Sequence, residues 1–322
     1  FEHLSLHTRR PLKTWIGSFE FQVISGNLQS QTALPFENQQ LRVFSSVFGR
    51  DPQERYFNAI NLTYSPRFLK GLSAGLNRMF QRYGGDGKKG GSFMQDYLPV
   101  LSSIFKNSAG GLDEDARARD QLINLYLRYA FPKANTEIYG EFGWNDHKYN
   151  FRDFWIDPEH SASFIIGFKK LQPLNHNRWL ELNAEIIQMA QTTDYLVRTA
   201  GDWYPYTNGG YNHYNQILGA GSGRGNNVQT MQLNLLKTLS KIGLKLQRVQ
   251  HQPVPADRTL PLKSLGLRSL RWTDIGVGFI GQKHWKNIII TPEVNFINSM
   301  NYAWTYRTNF NFFAQLNLTY LW

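Results

Sequence analysis

Ring-bearing and amide side chains alternate in residues 203–216. The rings are Trp203, Tyr204, Tyr206, Tyr211, His213 and Tyr214, and the amides are Asn208, Asn212, Asn215 and Gln216. A sugar presents apolar CH faces that pack against rings, and hydroxyl groups that hydrogen-bond to amides. The segment therefore predicts a polysaccharide-binding surface. The same rings also suit an aromatic girdle at a membrane interface or the packing of a loop, and both alternatives stay open.

Positive side chains are frequent in the segments that lack strand periodicity, and the chain carries a formal net charge of +11. Three of them, Lys88, Lys89 and Arg224, join the candidate ligand-binding residues. They would attract an acidic polymer or the phosphates of lipopolysaccharide, over a distance that salt limits to about 8–10 Å. Ordinary solvated loop charge is the alternative for each of them.

Sequence signatures of catalysis, metal binding and nucleotide binding are missing. The glycine-rich run 219–225 (GAGSGRG) lacks the ending of a P-loop and the spacing of a dinucleotide site. It predicts a surface loop or, with Arg224 beside it, a backbone nest for an anion. No HExxH or GxSxG motif occurs, and there is no cysteine. We therefore predict a protein that is not an enzyme and that needs no metal or cofactor.

Apolar and polar residues alternate in segment after segment of the chain. Apolar residues take every second position in 312–322, in 275–279, in 180–186 and in 123–131, and mostly polar residues fill the positions between them. A period of two is the period of a β-strand. No run of 18 apolar residues is present, which excludes a transmembrane helix. A barrel remains open, because its strands need only about 10 residues with every second one apolar.

Two β architectures fit this alternation: a soluble β-sandwich, whose apolar face is the core, and a membrane barrel, whose apolar face meets lipid. The number of alternating segments, the 15% aromatic content and the unequal connections favour the barrel. We predict an all-β fold, a transmembrane antiparallel β-barrel with about 14 strands visible and up to about 18 if N-terminal strands are missing. Residues 1–322 would form a single domain with long extracellular loops near 81–120, 145–161, 192–226 and 253–267.

The two ends of the chain carry further predictions. Leu318, Tyr320 and Trp322 share the apolar face of the last strand and predict the C-terminal signal for barrel assembly. The chain begins at Phe1 without an initiator methionine. We expect it to be processed or to lack several N-terminal strands.

Charged residues on the polar faces of the strands are expected to point into the lumen. Buried charges need partners, so the glutamates there should pair with Arg128, Arg178 or similar cations. The glutamates are Glu137, Glu141, Glu181, Glu185 and Glu293. Together with Tyr126 and Tyr139 they should crowd the lumen and keep solute flow low.

Several stretches of the sequence resemble the Wzi-like capsule assembly family, as it occurs in Bacteroidetes. They are YTNGG and ILGAGSGRGNN within 203–230, RYAFPK and YGEFGW within 120–144, and FRDFWIDPEHS at 151–161. The resemblance covers roughly residues 10–322. It implies an outer-membrane barrel of roughly 18 strands, with a role in attaching capsular polysaccharide at the cell surface.

The resemblance and the loop composition together predict a barrel that binds or organises capsular or surface polysaccharide without breaking bonds. The expected location is the outer membrane of a Gram-negative, Bacteroidetes-like cell. The expected partners are capsular polysaccharide or lipopolysaccharide, outer-membrane lipid and other outer-membrane proteins, with no nucleic acid. A porin-like channel with an open lumen and a structural subunit of a larger outer-membrane complex are the alternatives.

Overall fold

Strands make up most of the chain that the structure describes. This computed structural model describes residues 1–29, 55–83, 98–101, 119–145, 151–190, 203, 211–214, 216–223, 225–251 and 271–322. Its strands are β1 His3–His7, β2 Leu12–Lys13, β3 Gly17–Leu28, β4 Arg55–Pro66, β5 Leu72–Tyr83, β6 Arg119–Phe131, β7 Thr136–Asn145, β8 Ala162–Leu174, β9 Arg178–Gln188, β10 Asn212–His213, β11 Gln216–Ile217, β12 Asn227–Lys237, β13 Ser240–Gln250, β14 Thr273–Trp285, β15 Ile288–Met300 and β16 Asn309–Tyr320. The described part also holds a helix, α1, at Phe151–Ile156, and 3-10 turns at Pro99–Leu101, Pro132–Ala134 and Tyr302–Trp304.

Fourteen of the strands form one sheet, and in it each long strand pairs with the strands before and after it in the chain. The order runs from β1 and β3 at one end to β16 at the other, with β2 also paired to β3. The pairs are antiparallel. β10 and β11 form a separate hairpin. This meander is the topology of transmembrane barrels, and the predicted fold class and strand count are confirmed. Within the described residues, β1 and β16 do not pair with each other.

The connections differ in length between the two ends of the strands. At the short-turn end, the links after β4, β6, β8, β12 and β14 have two to five residues. At the long-loop end, the links after β3, β5, β7, β9 and β13 are much longer. The loop predicted near 145–161 contains α1, and the one near 192–226 contains the β10–β11 hairpin. The loop predicted near 253–267 lies outside the described residues, and the link 29–54 was missed.

The two faces of the strands have opposite chemistry. We call the face with Leu127, Ile166, Ile242 and Phe279 the apolar face and the opposite one the polar face. These four side chains are 53%, 55%, 67% and 54% exposed. A barrel wall in contact with lipid requires apolar side chains that are free of protein contact, and the predicted alternation is confirmed.

Near helix α1, one side chain of the apolar face is covered by protein. Ile123 shares the apolar face of β6 with Leu125 and Leu127, yet only 9% of it is exposed. It packs with Trp144 and Ala162, and Phe154 of α1 packs against this group. The indole of Trp144 donates a hydrogen bond of 2.8 Å to the carbonyl oxygen of Pro158. The expectation that Ile123 faces lipid is therefore wrong, because the loop after β7 folds back over it.

Glycines on the polar face make room for large polar side chains from the neighbouring strand. Tyr126 of β6 lies where a Cβ on Gly75 of β5 would be, and Tyr139 of β7 does the same over Gly167 of β8. The hydroxyl of Tyr139 then reaches Glu185 on β9 at 2.5 Å. The large side chains thus lie flat across the adjacent strand, and the crowding of the lumen stays a prediction.

A proline interrupts one ladder of the sheet. Pro292 lies inside β15 and pairs with Leu316 of β16. On the other side, the register with β14 breaks between Ile280 and Lys283. Proline has no N–H to donate. We infer that the imide nitrogen of Pro292 faces β14 and causes the gap.

The predicted assembly signal lies at the end of the last strand. Leu318 and Tyr320 are 66% and 55% exposed. Trp322 follows two residues after β16 ends, and its ring meets Tyr320 edge-on at 5.4 Å between centroids. These residues have the exposure that recognition by an assembly factor needs, and that role stays a prediction.

The chain divides into two compact units. Unit 1 comprises Phe1–Leu127, Glu141–Phe164 and Met189–Arg224, and unit 2 comprises Arg128–Gly140, Ile165–Gln188 and Gly225–Trp322. Among the described residues, no helix has the length and apolar character needed to cross a membrane.

Candidate functional site

The polar face of unit 2 lines a cavity of about 760 Å³. The lining residues come from seven successive strands of the sheet, β7 to β9 and β12 to β15. From the polar face they are Glu137, Tyr139, Lys169, Asn183, Glu185, Thr230, Gln232, Lys245, Gln247, Ile280 and Glu293, and two residues of the alternate positions, Phe168 and Ala184, also border the cavity. The volume lies within the range of about 300–1,000 Å³ that is usual for small-molecule sites. Carboxylates, amides, ammonium groups and hydroxyls dominate this lining, so it is chemically suited to a polar ligand.

Part of the polar lining is fixed by internal bonds. Arg128 donates to Glu137 at 2.5 Å, as expected for a pair between the lumenal glutamates and Arg128. Glu181 lies next to the cavity and accepts bonds from Lys169 at 3.3 Å and Asn234 at 2.7 Å. These bonds hold the carboxylates in place without a ligand.

Arg178 does not follow the predicted pairing. Arg178 lies two residues before Leu180 on β9, so its side chain is on the apolar face, whereas Glu181 and Glu185 are on the polar face. Its Nε donates to the carbonyl oxygen of Asn175 at 3.3 Å. The predicted lumenal role of Arg178 is therefore wrong, because its position in the strand alternation puts it on the other side.

Other lining groups keep capacity for a ligand. Lys245 forms no ion pair or hydrogen bond with the described residues. Glu185 accepts from Tyr139, and Glu293 accepts from Asn295 at 2.9 Å, so each retains free lone pairs. Gln247 donates to Thr230 at 3.0 Å and keeps its amide oxygen. The cavity thus offers one cation and several acceptors at the same place.

The ring-bearing segment that composition singled out belongs to unit 1. Trp203 is 8% exposed, and its ring lies 2.5 Å from where a Cβ on Gly143 would be. Tyr211 is 1% exposed, and its hydroxyl donates to the carbonyl oxygen of Asp120 at 2.9 Å. The structure therefore gives both rings a packing role on the polar face of the sheet, and their faces are covered.

The neighbouring hairpin β10–β11 is tied to the start of β4. Arg55 is 1% exposed and donates to the carbonyl oxygen of Asn212 at 2.8 Å. Nδ1 of His213 accepts the backbone N–H of Gln29 at 3.2 Å, so this nitrogen carries no proton. Tyr214 is 48% exposed and hydrogen-bonds to the side chain of Gln29. Among the described rings of this segment, Tyr214 has the most surface left for a sugar.

Acidic pH should loosen this hairpin. Burial, with the positive charges of the N-terminal ammonium group of Phe1 and of Arg55, lowers the pKa of His213 in the folded protein. The bond from Gln29 is therefore fully present above the unfolded pKa of about 6.5 and is lost as the pH falls toward the folded value. We expect faster amide hydrogen exchange at residues 211–217 at a pH of about 5 than at about 7.5, after correction for intrinsic rates. His213→Gln should remove this pH dependence, and an unchanged dependence would contradict the assignment.

The remaining predicted ligand residues lie outside the described residues. They are Tyr204, Tyr206, Arg224, Lys88 and Lys89. The cavity was not predicted as a site, although Tyr139, Glu185 and other members of its lining were assigned to the lumen. The signal was the recurrence of polar residues at every second position of neighbouring strands. Among the described residues, no group of three or more His, Asp or Glu side chains could hold a metal ion.

An antiparallel sheet with an exposed apolar face, a polar face, and short turns opposite long connections is an outer-membrane β-barrel of the Gram-negative type. One solved structure that it resembles is Wzi of Escherichia coli, described as an outer membrane protein involved in group 1 capsule assembly and as a carbohydrate-binding β-barrel. The TM-score is 0.61 at 13% identity, over 94% of this chain and 56% of that one. This chain thus spans just over half of the length of that protein.

A second solved structure, the outer membrane channel DcaP of Acinetobacter baumannii, has a TM-score of 0.33 and 9% identity over 98% of this chain and 83% of that one. A scan against protein-family models and a search of curated proteins find no match. The comparison with Wzi supports the barrel fold, and membership of the Wzi-like family stays a prediction.

Proposed function

We propose that this protein binds capsular or other surface polysaccharide, or lipopolysaccharide, at the outer membrane of a Bacteroidetes-like cell, without catalysis. The polar cavity of unit 2 is the observation that carries the proposal. Sugar hydroxyls both donate and accept, so they are matched by a lining that mixes carboxylates, amides and an ammonium group. The carbohydrate binding of Wzi, a protein of similar fold, is consistent with this role.

Lys245 indicates which class of polysaccharide the cavity would bind. It is the cation of the lining that forms no bond with a described residue, while Lys169 is shared with Glu181. An acidic sugar would bring a carboxylate to this ammonium group, and the free oxygens of Glu185 and Glu293 would accept its hydroxyls. We therefore favour a polysaccharide that contains uronic acid or a similar acidic residue.

The cavity can be tested with a matched pair of variants on one strand. Lys245 lines the cavity, and Lys241 has the same parity on β13 without lining it. A charged hydrogen bond contributes about 1.5–3 kcal/mol, so we expect Lys245→Ala to weaken binding of an acidic polysaccharide about 10- to 100-fold in calorimetry. Lys241→Ala should bind like the wild type. If both variants and the wild type bind the acidic polysaccharide with equal affinity, the proposal is wrong.

The alternative functions, a channel, a structural subunit and an enzyme, each predict a different experimental result. A porin-like channel predicts steady conductance in planar bilayers, whereas side chains such as Tyr139 and Glu185 across the polar face should keep it low. A structural subunit predicts stoichiometric protein partners in a pull-down. An enzyme would shorten the bound polysaccharide, and we expect its length distribution to stay unchanged after incubation with the purified protein.

A further inference from the structure

The rows of apolar side chains in unit 2 end in cations at the short-turn end. On β9 the row Ile186, Ala184, Leu182 and Leu180 is followed by Arg178, and on β12 the row Met231, Leu233 and Leu235 is followed by Lys237. Lys170 ends the corresponding row of β8, and Lys283 precedes the end of the row on β14. Lys286 occupies the turn between β14 and β15. We call these five residues, Lys170, Arg178, Lys237, Lys283 and Lys286, the basic collar.

The basic collar lacks acidic side chains in the turns that join its strands. The turns after β6, β8, β12 and β14 contain no Asp or Glu. Lys170 donates to the carbonyl oxygen of Ala134 at 2.5 Å, and Arg178 donates to that of Asn175. No described carboxylate forms an ion pair with any of the five. Four of the five residues are exposed, and Lys170 is half-buried. Their charge is thus open to an external anion.

The register of β9 and β12 adds an unfavourable pair that an anion would relieve. Arg178 and Lys237 are direct cross-strand partners on the same face. Directly opposed residues have Cβ atoms about 4.5–5.5 Å apart, and like charges at such positions are destabilising. A negatively charged group between the two side chains would turn this repulsion into two attractions.

The position of the basic collar selects the kind of anion. Short turns of outer-membrane barrels lie on the periplasmic side, where the apolar face reaches the headgroups of the inner leaflet. Long cationic side chains at such a boundary extend toward lipid phosphates. Trp285, next to the collar and 57% exposed, is placed as a girdle aromatic, with Lys286 over its ring at 5.6 Å. Links of two to four residues cannot carry these charges far from the bilayer surface.

We propose that the basic collar is a binding surface for the phosphates of anionic phospholipids in the periplasmic leaflet. The attraction acts within about one Debye length, roughly 8 Å at physiological salt. It would hold the barrel at a fixed depth and enrich anionic lipid around unit 2. This role is independent of polysaccharide binding, which the proposed function assigns to the polar face.

The test compares the lipid dependence of stability in matched variants. Wild-type protein is refolded into vesicles of neutral phosphatidylcholine, with or without phosphatidylglycerol, and the melting temperature is read from the folded band on unheated gels. Wild type should melt several degrees higher with phosphatidylglycerol, and about 1 M salt should remove most of that shift. Arg178→Gln/Lys237→Gln should at least halve the shift. Lys169→Gln/Lys245→Gln, which removes two charges from the polar face, should keep the full shift.

Several outcomes would overturn the proposal. One is a wild type that melts at the same temperature in both vesicles. Others are a collar variant that keeps the full shift, or an equal loss in the collar variant and the polar-face control, which would reflect net charge alone. If Arg178→Gln/Lys237→Gln does not fold, Lys283→Gln/Lys286→Gln replaces it with the same expected result. If the collar binds a protein or the cell-wall polymer instead, replacing its cations should not reduce the rise in melting temperature that phosphatidylglycerol causes.

Discussion

Tyr211→Ala should release the β10–β11 hairpin from unit 1. The side chain is 1% exposed, packs edge-on against Phe57 at 6.4 Å between ring centroids, and bonds through its hydroxyl to the carbonyl oxygen of Asp120. Removing a buried aromatic ring costs about 3–5 kcal/mol. Because the hairpin belongs to a connection between strands, this loss should fall on local stability, and the sheet should remain folded. Hydrogen exchange at residues 211–223 should rise by at least two orders of magnitude.

Two control variants separate ring packing from the hydroxyl and from exposed surface. Tyr211→Phe keeps the ring and loses one hydrogen bond, worth about 1 kcal/mol, so it should speed exchange about fivefold. Tyr214→Ala removes a ring that is 48% exposed and should change exchange less than Tyr211→Ala. If Tyr211→Ala exchanges like the wild type, the packing role is wrong. A loss of polysaccharide binding in Tyr211→Ala alone would then have to come from direct contact.

Gly167→Val should destabilise the barrel as a whole. A Cβ at Gly167 would occupy the space of the Tyr139 ring, including Cζ and the hydroxyl oxygen. The ring would have to leave the surface of β8 and break its 2.5 Å bond to Glu185. Overpacking costs about 1–3 kcal/mol and a hydrogen bond to a charged group about 1.5–3 kcal/mol, so we expect a loss of about 3–5 kcal/mol. Urea unfolding in vesicles, followed by tryptophan fluorescence, would measure it.

The same strain should be relieved by a second change. In Tyr139→Ala/Gly167→Val the valine fills the space that the ring leaves, so the two losses should add to less than their sum. Gly276→Val is the matched control, because a Cβ there meets its nearest neighbour at 3.6 Å, an ordinary contact distance. It should cost clearly less than Gly167→Val. Additive losses in the double variant would show that Tyr139 does not lie over Gly167.

Alternation was enough to predict the strands and their faces, because a period of two is a property of the local chain. Leu125, Leu127 and Phe279 fall on the predicted face for this reason. Ile123 does not behave like them, since its cover comes from Phe154, about thirty residues later in the chain. No local pattern carries that contact. Contacts between a loop and a distant strand therefore cannot be predicted from the alternation of residues.

The candidate site shows the same limit. Composition identified the rings of residues 203–216 but not their burial, which depends on Gly143, Phe57 and Asp120 on other strands. Conversely, Lys245 and Gln247 are ordinary inward residues in the sequence, and they become a site only when seven strands bring their polar faces together. Residue type predicted what each group can bind, and topology decided which groups meet.

The tyrosine-over-glycine pairs also bear on how the sheet selects its register. A slip by one residue exchanges the two faces of a strand and is costly, but a slip by two residues keeps every apolar side chain in lipid. Alternation alone cannot reject such even-numbered slips. On β8 the inward positions on either side of Gly167 are Ile165 and Lys169, and neither leaves space for the ring of Tyr139. If β7 and β8 paired two residues out of register in either direction, the ring of Tyr139 would therefore clash with a side chain of β8. The tyrosine thus favours the correct register during assembly.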